Sequence, residues 1–283
     1  MKIDKVILCC DDNQQYAGYW NTVAKVWKEI YEIEPFLVFL GSRESQEKYN
    51  FIYKGNIINA EPQLNLPLSQ VTWLPFWAAQ KFPEDVCITH GIDQIPLNYT
   101  FFDMLEKLEK TKKYVVGLSD IYKGYSVSTL GYYNTQTNIM FPTSHHVGKG
   151  KMFKEIYNLK EKWADEAKSY FDSMSRYSFI PSRNAGRGRM MNGWGLDECY
   201  SSEKISIYEN QNEIEYVTGG WEWFENRRIH LGIQPENYSL SQIEAGEFSE
   251  ITYKPYNRDP NAVNQIIELL YKIKEKREVG KSK

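Results

Sequence analysis

Asp93 stands at the end of an apolar run, Val86–Thr89, and is followed within two residues by Ile95-Pro96-Leu97. In a sheet-built enzyme, ligands collect at the C-terminal ends of strands, so this carboxylate is placed to meet a substrate or a metal ion. His90 adds an imidazole beside it, and the competing reading is a carboxylate that caps the following turn. A second acidic group, Asp11-Asp12-Asn13, closes the apolar run Val6–Cys10 in the same manner. The pair His145-His146 lies in the glycine-bounded segment HHVGKGK and is a candidate for the acceptor side of a site. Residues 182–195, SRNAGRGRMMNGWG, carry four glycines with Arg183, Arg187 and Arg189, a combination suited to closing over an anion. The same loop read without a ligand is a flexible surface segment. Trp194 precedes Asp197 and Glu198; an indole stacks on a sugar or base ring, and a carboxylate beside it can take a proton from a hydroxyl. The alternative for Asp197 is an acid favoured by a helix N-terminus.

These residues need a frame. Val6–Cys10 and Phe36–Leu40 read as buried parallel strands, and Trp20, Val23, Ala24, Trp27, Ile30 and Tyr31 form the apolar stripe of the helix between them, stopped by Pro35. Residues 56–67 read as a short strand and loop, 74–82 as helical, 86–89 as a strand, 101–108 as a helix and 114–118 as a strand. Such alternation predicts an α/β fold with a mainly parallel sheet and helices on both faces. Further on, Phe153, Ile156, Tyr157, Trp163, Ala167, Tyr170 and Phe171 predict an amphipathic helix broken near Leu159. Asp259 as N-cap and Pro260 at the first helical position open a last helix carrying Val263, Ile266, Ile267, Leu270 and Ile273.

Composition narrows the function. A chain of 283 residues with 42% apolar residues buries a large core. A formal charge of -3 argues against a surface that is one continuous nucleic-acid footprint, while leaving room for a local basic patch. Cys9, Cys10, Cys87 and Cys199 show no zinc-type spacing and read as buried thiols of a reducing compartment. The first apolar run is short and followed by acids, and no other run approaches a membrane span, so the expectation is a soluble, cytoplasmic protein that does not engage a membrane. There is no GxGxxG after the first strand and no GxSxG elbow. Gly280-Lys281-Ser282 imitates the end of a phosphate loop without a preceding strand.

The segment LPFWAAQKFPEDVCITHGIDQIPLN resembles glycosyltransferases of the GT-A type, in particular a viral and phage-associated branch, through Gln80, Ile92, Asp93, Ile95 and Pro96. DDNQQYAGYWNTVAKVWKEI is similar to the opening of that branch through Asn13, Tyr16 and Trp27, and NIMFPTSHHVGKGKMFKEIY through Gly148, Lys149, Gly150, Lys154, Glu155 and Ile156. GWGLDECY resembles its Trp-x-x-Asp segment. The resemblance implies one GT-A-like, Rossmann-type domain over residues 1–283, with a nucleotide-sugar half at 1–120 and, at 121–283, an acceptor half and C-terminal helix. It implies a nucleoside-diphosphate-sugar donor held by Asp11, Asp12, Asn13, Gln80 and Asp93, and hexosyl or pentosyl transfer to a hydroxyl. The acceptor side would be formed by Trp194, His145 and His146, with Asp197 or Glu198 as base. A glycan, a small molecule and a modified DNA base all remain open as acceptor.

In that family an Asp-x-Asp pair holds Mn²⁺ or Mg²⁺ on the diphosphate. Here Gly91 replaces the first acid, and Ile251 stands where the family has a metal-binding histidine, ahead of Lys254-Pro255-Tyr256. His230, in RRIHLGI, is a candidate displaced substitute, against the reading of a lone histidine packed in an apolar strand. The expectation is weak metal binding through Asp93 alone, with Arg183, Arg187, Arg189, Lys149 and Lys151 neutralising the diphosphate. The same arginines would equally grip the phosphates of a nucleic-acid acceptor. Loss of metal ligands also keeps open a catalytically degenerate nucleotide- or glycan-binding protein. A sugar nucleotidyltransferase is disfavoured because no glycine-rich phosphate loop follows the first strand.

Overall fold

Burial alternates along the first strand: Val6, Leu8 and Cys10 enter one apolar cluster and Ile7 the other. Side chains of period two on a strand covered on both faces produce this division. The computed structural model describes residues 1–63, 70–117, 119, 132–133, 141–174, 178–179, 196–217, 228–230, 238–252 and 260–281. Its strands are β1 (Lys5–Asp11), β2 (Glu34–Leu40), β3 (Ile57–Ala60), β4 (Val86–Thr89), β5 (Gln94–Pro96), β6 (Tyr114–Gly117), β7 (Tyr132–Tyr133), β8 (His146–Lys149), β9 (Ser178–Phe179), β10 (Ile214–Val217), β11 (Arg228–His230) and β12 (Glu250–Thr252).

Seven of them form one sheet in the order β10-β6-β8-β4-β1-β2-β3. β8 runs antiparallel to β4 and β6, and the other six run parallel. The expected α/β fold with a mainly parallel, helix-flanked sheet is therefore what the chain adopts. β11, β12 and β5 make a three-stranded sheet, with Ile251 opposite Ile95, and β7 pairs with β9. The reversal of sequence order at β1, where β2 lies on one side and β4 on the other, leaves a crevice at the strand ends.

Helices α1 (Gln14–Ala17) and α2 (Trp20–Lys25) lead into a π-helical stretch, Val26–Ile30. The helix ends before Pro35, because Glu32 adopts a left-handed backbone with φ 59. Pro35 itself lies inside β2 at Val6, ahead of the Leu37–Ile57 register where β3 joins, so its missing N–H costs no ladder bond on that side. The sequence expectation about Pro35 is corrected on this point.

α3 (Arg43–Glu47), α4 (Gln70–Ala79), α5 (Thr100–Lys107), α6 (Gly150–Tyr157), α7 (Trp163–Met174) and α8 (Leu196–Ser206) complete the helices that concern the site. Asn158, left-handed at φ 52, ends α6 and accounts for the break expected near Leu159. Trp73 of α4 stacks on Tyr170 of α7 and donates its indole N–H to Glu166 at 2.8 Å. The last helix, Pro260–Lys281, buries Val263, Ile266 and Leu270 in the cluster that holds Trp20 and Trp27. Each such side chain contributes about 1.5–3 kcal/mol on burial. No helix among the described residues is long and apolar enough to cross a membrane.

Candidate active site

The site begins where β1 ends. Asp11 is its last residue and accepts from the Asn13 N–H at 3.2 Å; Asn13 in turn caps α1 by accepting from Gln15 N at 3.0 Å. Asp12 accepts from Tyr49 Oη at 2.7 Å. Hydrogen bonds from Ser45 and Tyr49, with Lys48 nearby, hold its carboxyl below the usual carboxylate range. All three residues thus lie at the strand-end crevice, with Asp12 tied to the segment that follows β2.

One strand over, β4 ends at Thr89 and the chain turns through Gly91–Gln94, closed by the Gln94 N–H to the Gly91 carbonyl at 3.2 Å. The turn is sewn to its neighbours: His90 N donates to Ile7 O at 3.2 Å, His145 N to Thr89 O at 2.7 Å, and Thr89 Oγ1 to Thr143 O at 2.8 Å. Asp93 in this turn is 8% exposed. A β-carbon at Gly91 would sit 2.6 Å from Gln94 Oε1 and 3.1 Å from Asp93 Oδ1, so the Gln94 amide occupies the space in front of position 91.

The third contribution comes from the second half of the chain. Asp197 lies in the first turn of α8, 4% exposed, and accepts from the hydroxyls of Thr72 and Thr143. Burial raises its pKa above the ordinary aspartate value, opposed by those two hydroxyls and by backbone N–H groups. Cys9, two residues before the end of β1, senses all three acids. Its thiol is pushed up by burial and then by the negative charge of Asp197, Asp11 and Asp93, in that order. Asp11, Asp93 and Asp197 therefore all lie near enough to the Cys9 thiol for their charges to act on it. Glu198 follows in the same turn, half-buried, with its carbonyl accepting from the Ser201 and Ser202 hydroxyls.

Other expected site residues lie elsewhere. Gln80 follows α4 and precedes β4, at the opposite end of that strand from Asp93, and donates to Lys160 O at 2.8 Å. It anchors the link between α6 and α7; its donor-binding role is corrected. His146 and His145 point to opposite faces of the sheet. His146, fully buried, meets Pro142 O at 2.6 Å and the hydroxyls of Tyr114 and Tyr157 at 3.2 and 3.1 Å. Burial pulls its pKa down to about 4, so it is a neutral core residue and not an acceptor-side group. His145 faces His90 and Phe101 instead. Lys149 and Lys151 pair with Glu84 at 3.0 and 3.1 Å, at the far end of the sheet from Asp93, which removes them as diphosphate ligands. Gly150, next to them, is a packing position: a β-carbon there would meet Ala79 O at 2.2 Å. Arg183, Arg187, Arg189, Trp194 and the Lys254-Pro255-Tyr256 segment lie outside the described residues. Thr72, Thr143 and Gln94 escaped sequence reasoning, since lone hydroxyls and amides carry no spacing signal.

A divalent cation on Asp93 does not fit the donor set described. Position 91 offers no carboxylate, the Gln94 side chain fills the space before it, and Ile251 is packed at 0% exposure against the core. Among the described residues Asp93 belongs to no group of three potential ligands. What the three acids can do is accept hydrogen bonds from hydroxyls, and burial, which raises the pKa of Asp197, suits that residue to taking a proton.

No family model matches the sequence, and no curated protein matches it. Among solved structures, the galactosyltransferase LgtC in complex with donor and acceptor sugar analogs is similar at 12% identity, TM-score 0.48, covering 95% of each chain. The glycosyltransferase GlyE of Streptococcus pneumoniae is similar at 12% identity and TM-score 0.46, over 99% of this chain and 64% of that one. A glycosyltransferase involved in glycosylation of the major capsid of PBCV-1 is similar at 8% identity and TM-score 0.41, over 95% and 99%.

Proposed function

We propose that this chain is a glycosyltransferase that moves a hexosyl or pentosyl group from a nucleoside-diphosphate-sugar to an acceptor hydroxyl, without a resident divalent cation on Asp93. The observation that carries the reading is that the charges of Asp197, Asp11 and Asp93 all reach the Cys9 thiol near the C-terminal end of β1 in a mainly parallel sheet, with Asp197 itself buried and its pKa raised. Asp11 and Asp93 come from the proposed donor half at 1–120, and Asp197 from the proposed acceptor half at 121–283.

In this reading Asp11, Asp12, Asn13 and Asp93 accept hydrogen bonds from ribose and sugar hydroxyls. Asp197 takes the proton of the attacking acceptor hydroxyl. A bond forms between that oxygen and the sugar's anomeric carbon as the bond from that carbon to the diphosphate oxygen breaks, and the electron pair leaves with the nucleoside diphosphate. Three carboxylates repel a diphosphate, so its countercharge must come from cationic side chains; Arg183, Arg187 and Arg189 are proposed for it, and Trp194 for stacking on the acceptor. Base catalysis of this kind predicts inversion at the anomeric carbon. Glu198 is the reserve candidate for the base. The Gln94 side chain in front of Gly91 favours one second reading, a binding protein of the same fold without turnover.

The test is release of nucleoside diphosphate from a panel of uridine and guanosine diphosphate sugars, with simple glycosides and glycosylated oligonucleotides as acceptors. Release that Asp197→Asn abolishes supports transfer. Donor binding with no release by the wild type supports the binding protein, and no binding of any nucleotide sugar removes both.

A further inference from the structure

His90, His145 and Glu250 meet on the face of the sheet opposite His146, and nothing in the proposed transfer uses them. They are 4%, 5% and 2% exposed. His90 comes from the end of β4, His145 from the residue before β8, and Glu250 from the start of β12. His90 Nε2 lies 2.9 Å and His145 Nε2 3.6 Å from the same oxygen, Glu250 Oε1, and the three ligand atoms all fall within 4.8 Å of one another. Ligands at about 2.0–2.1 Å from a tetrahedral zinc ion stand about 3.3–3.4 Å apart, which is the scale of this triangle.

The protonation chemistry points the same way. His90 Nδ1 faces the Gly91 carbonyl at 3.2 Å, and the tautomer that donates there leaves the Nε2 lone pair directed at a carboxylate oxygen. In that tautomer two electron-rich atoms face each other at 2.9 Å in a buried site, an arrangement that a cation bound by both relieves. The second imidazole converging on the same oxygen offers such an ion a third ligand. Donation of the other ring N–H to a backbone carbonyl is how metal-bound histidines are held in place. His145 reaches the site from a left-handed backbone, φ 64, a region that histidine enters more readily than most residues other than glycine. Trp27 and Phe101 wall the cluster, and a cavity of about 30 Å³ bounded by His90, His145, Glu250 and Ser249 adjoins it. A cavity of that size has room for a water molecule as a fourth ligand.

We infer that His90, His145 and Glu250 bind a divalent transition-metal ion of zinc's class, which ties the three-stranded sheet to the seven-stranded one behind the Asp93 turn. Two imidazoles and one carboxylate suit Zn²⁺ or Co²⁺ rather than Mg²⁺, which prefers oxygen ligands and retains its waters. Asp93 is not among the ligands.

The experiment is calorimetric titration of tag-free, chelator-dialysed full-length protein with Zn²⁺, alongside Co²⁺ followed by its visible absorption. The inference expects one equivalent bound and the intense visible bands of low-coordinate Co²⁺. Glu250→Gln and His145→Gln, with folding checked by circular dichroism, should each weaken Zn²⁺ binding at least tenfold, while Asp93→Asn leaves it unchanged. Absence of stoichiometric Zn²⁺ and Co²⁺ binding to the folded wild type would overturn the inference in favour of a buried imidazolium–carboxylate pair. So would unchanged affinity in a folded Gln variant, and loss of binding in Asp93→Asn would relocate the ion to the donor crevice. Should Glu250→Gln fail to fold, the wild-type titration and His145→Gln decide.

Discussion

Gln94 stands in the space that a side chain at Gly91 would claim: its Oε1 is 2.6 Å from where a β-carbon would be. A side chain placed at position 91 would meet the Gln94 amide. Gly91→Asp alone should therefore be destabilising, by about 1–3 kcal/mol as in other overpacked sites, because the Gln94 amide must leave a packed position. Adding Gln94→Ala should recover most of that loss in denaturant unfolding and create Mn²⁺ binding that neither single variant has. Equal stability of Gly91→Asp and wild type would contradict the packing argument.

Asp197 is expected to separate activity from stability. A general base contributes about 10²–10⁴-fold, so Asp197→Asn should lower transfer by that order with donor affinity little changed. Its raised folded-state pKa means the native state holds a proton more tightly than the unfolded chain. Stability from this group is full below the ordinary aspartate pKa and is lost as pH rises through the raised value, leaving a penalty at neutral pH. Asp197→Asn should thus be at least as stable as wild type at pH 7, provided its amide keeps the threonine partners. The rate of the wild type should fall on acidification as Asp197 protonates, and unfolding curves of both proteins at pH 5 and pH 7 check the stability half.

His146 should behave as the opposite case. Replacing it by Leu leaves the Pro142 carbonyl and the Tyr114 and Tyr157 hydroxyls short of a partner. The expected cost is about 1–3 kcal/mol of stability, with no change in nucleotide-sugar affinity for the protein that remains folded. A loss of affinity at unchanged stability would return His146 to the site.

Glu166 joins α7 to α4 and to the link that follows α6. It is 1% exposed and accepts both Trp73 Nε1–H at 2.8 Å and Lys160 N–H at 2.7 Å, and Trp73 adjoins Thr72 in α4. Glu166→Ala orphans the buried Trp73 indole N–H and removes the partner of the part-buried Lys160 N–H, and should lower stability by about 1–3 kcal/mol. Chemical denaturation with tryptophan fluorescence measures it.

The parallel frame was legible because apolar runs such as Val6–Cys10 and Phe36–Leu40 are buried on both faces and need no partner to be recognised. β5 and β12 were not, since three-residue strands such as Gln94–Pro96 gain their identity from pairing across about 150 residues of sequence. The site divides in the same way. Asp93, Asp11 and Asp197 follow from strand ends and a helix start, whereas Gln80 was misread because sequence nearness to β4 does not say which end of the strand a residue meets. His145 and His146 differ by one position, and period two sends one to each face.

The most direct test is calorimetric titration of uridine and guanosine diphosphate sugars into the protein as purified. One series uses buffer and ligand freed of divalent ions on a resin, the other includes Mn²⁺, and each is repeated with Asp93→Ala. The account expects at least one donor to bind equally well with and without Mn²⁺, and to lose at least tenfold in affinity, about 1.4 kcal/mol, in Asp93→Ala. Binding that demands Mn²⁺, or affinity indifferent to Asp93, would contradict it.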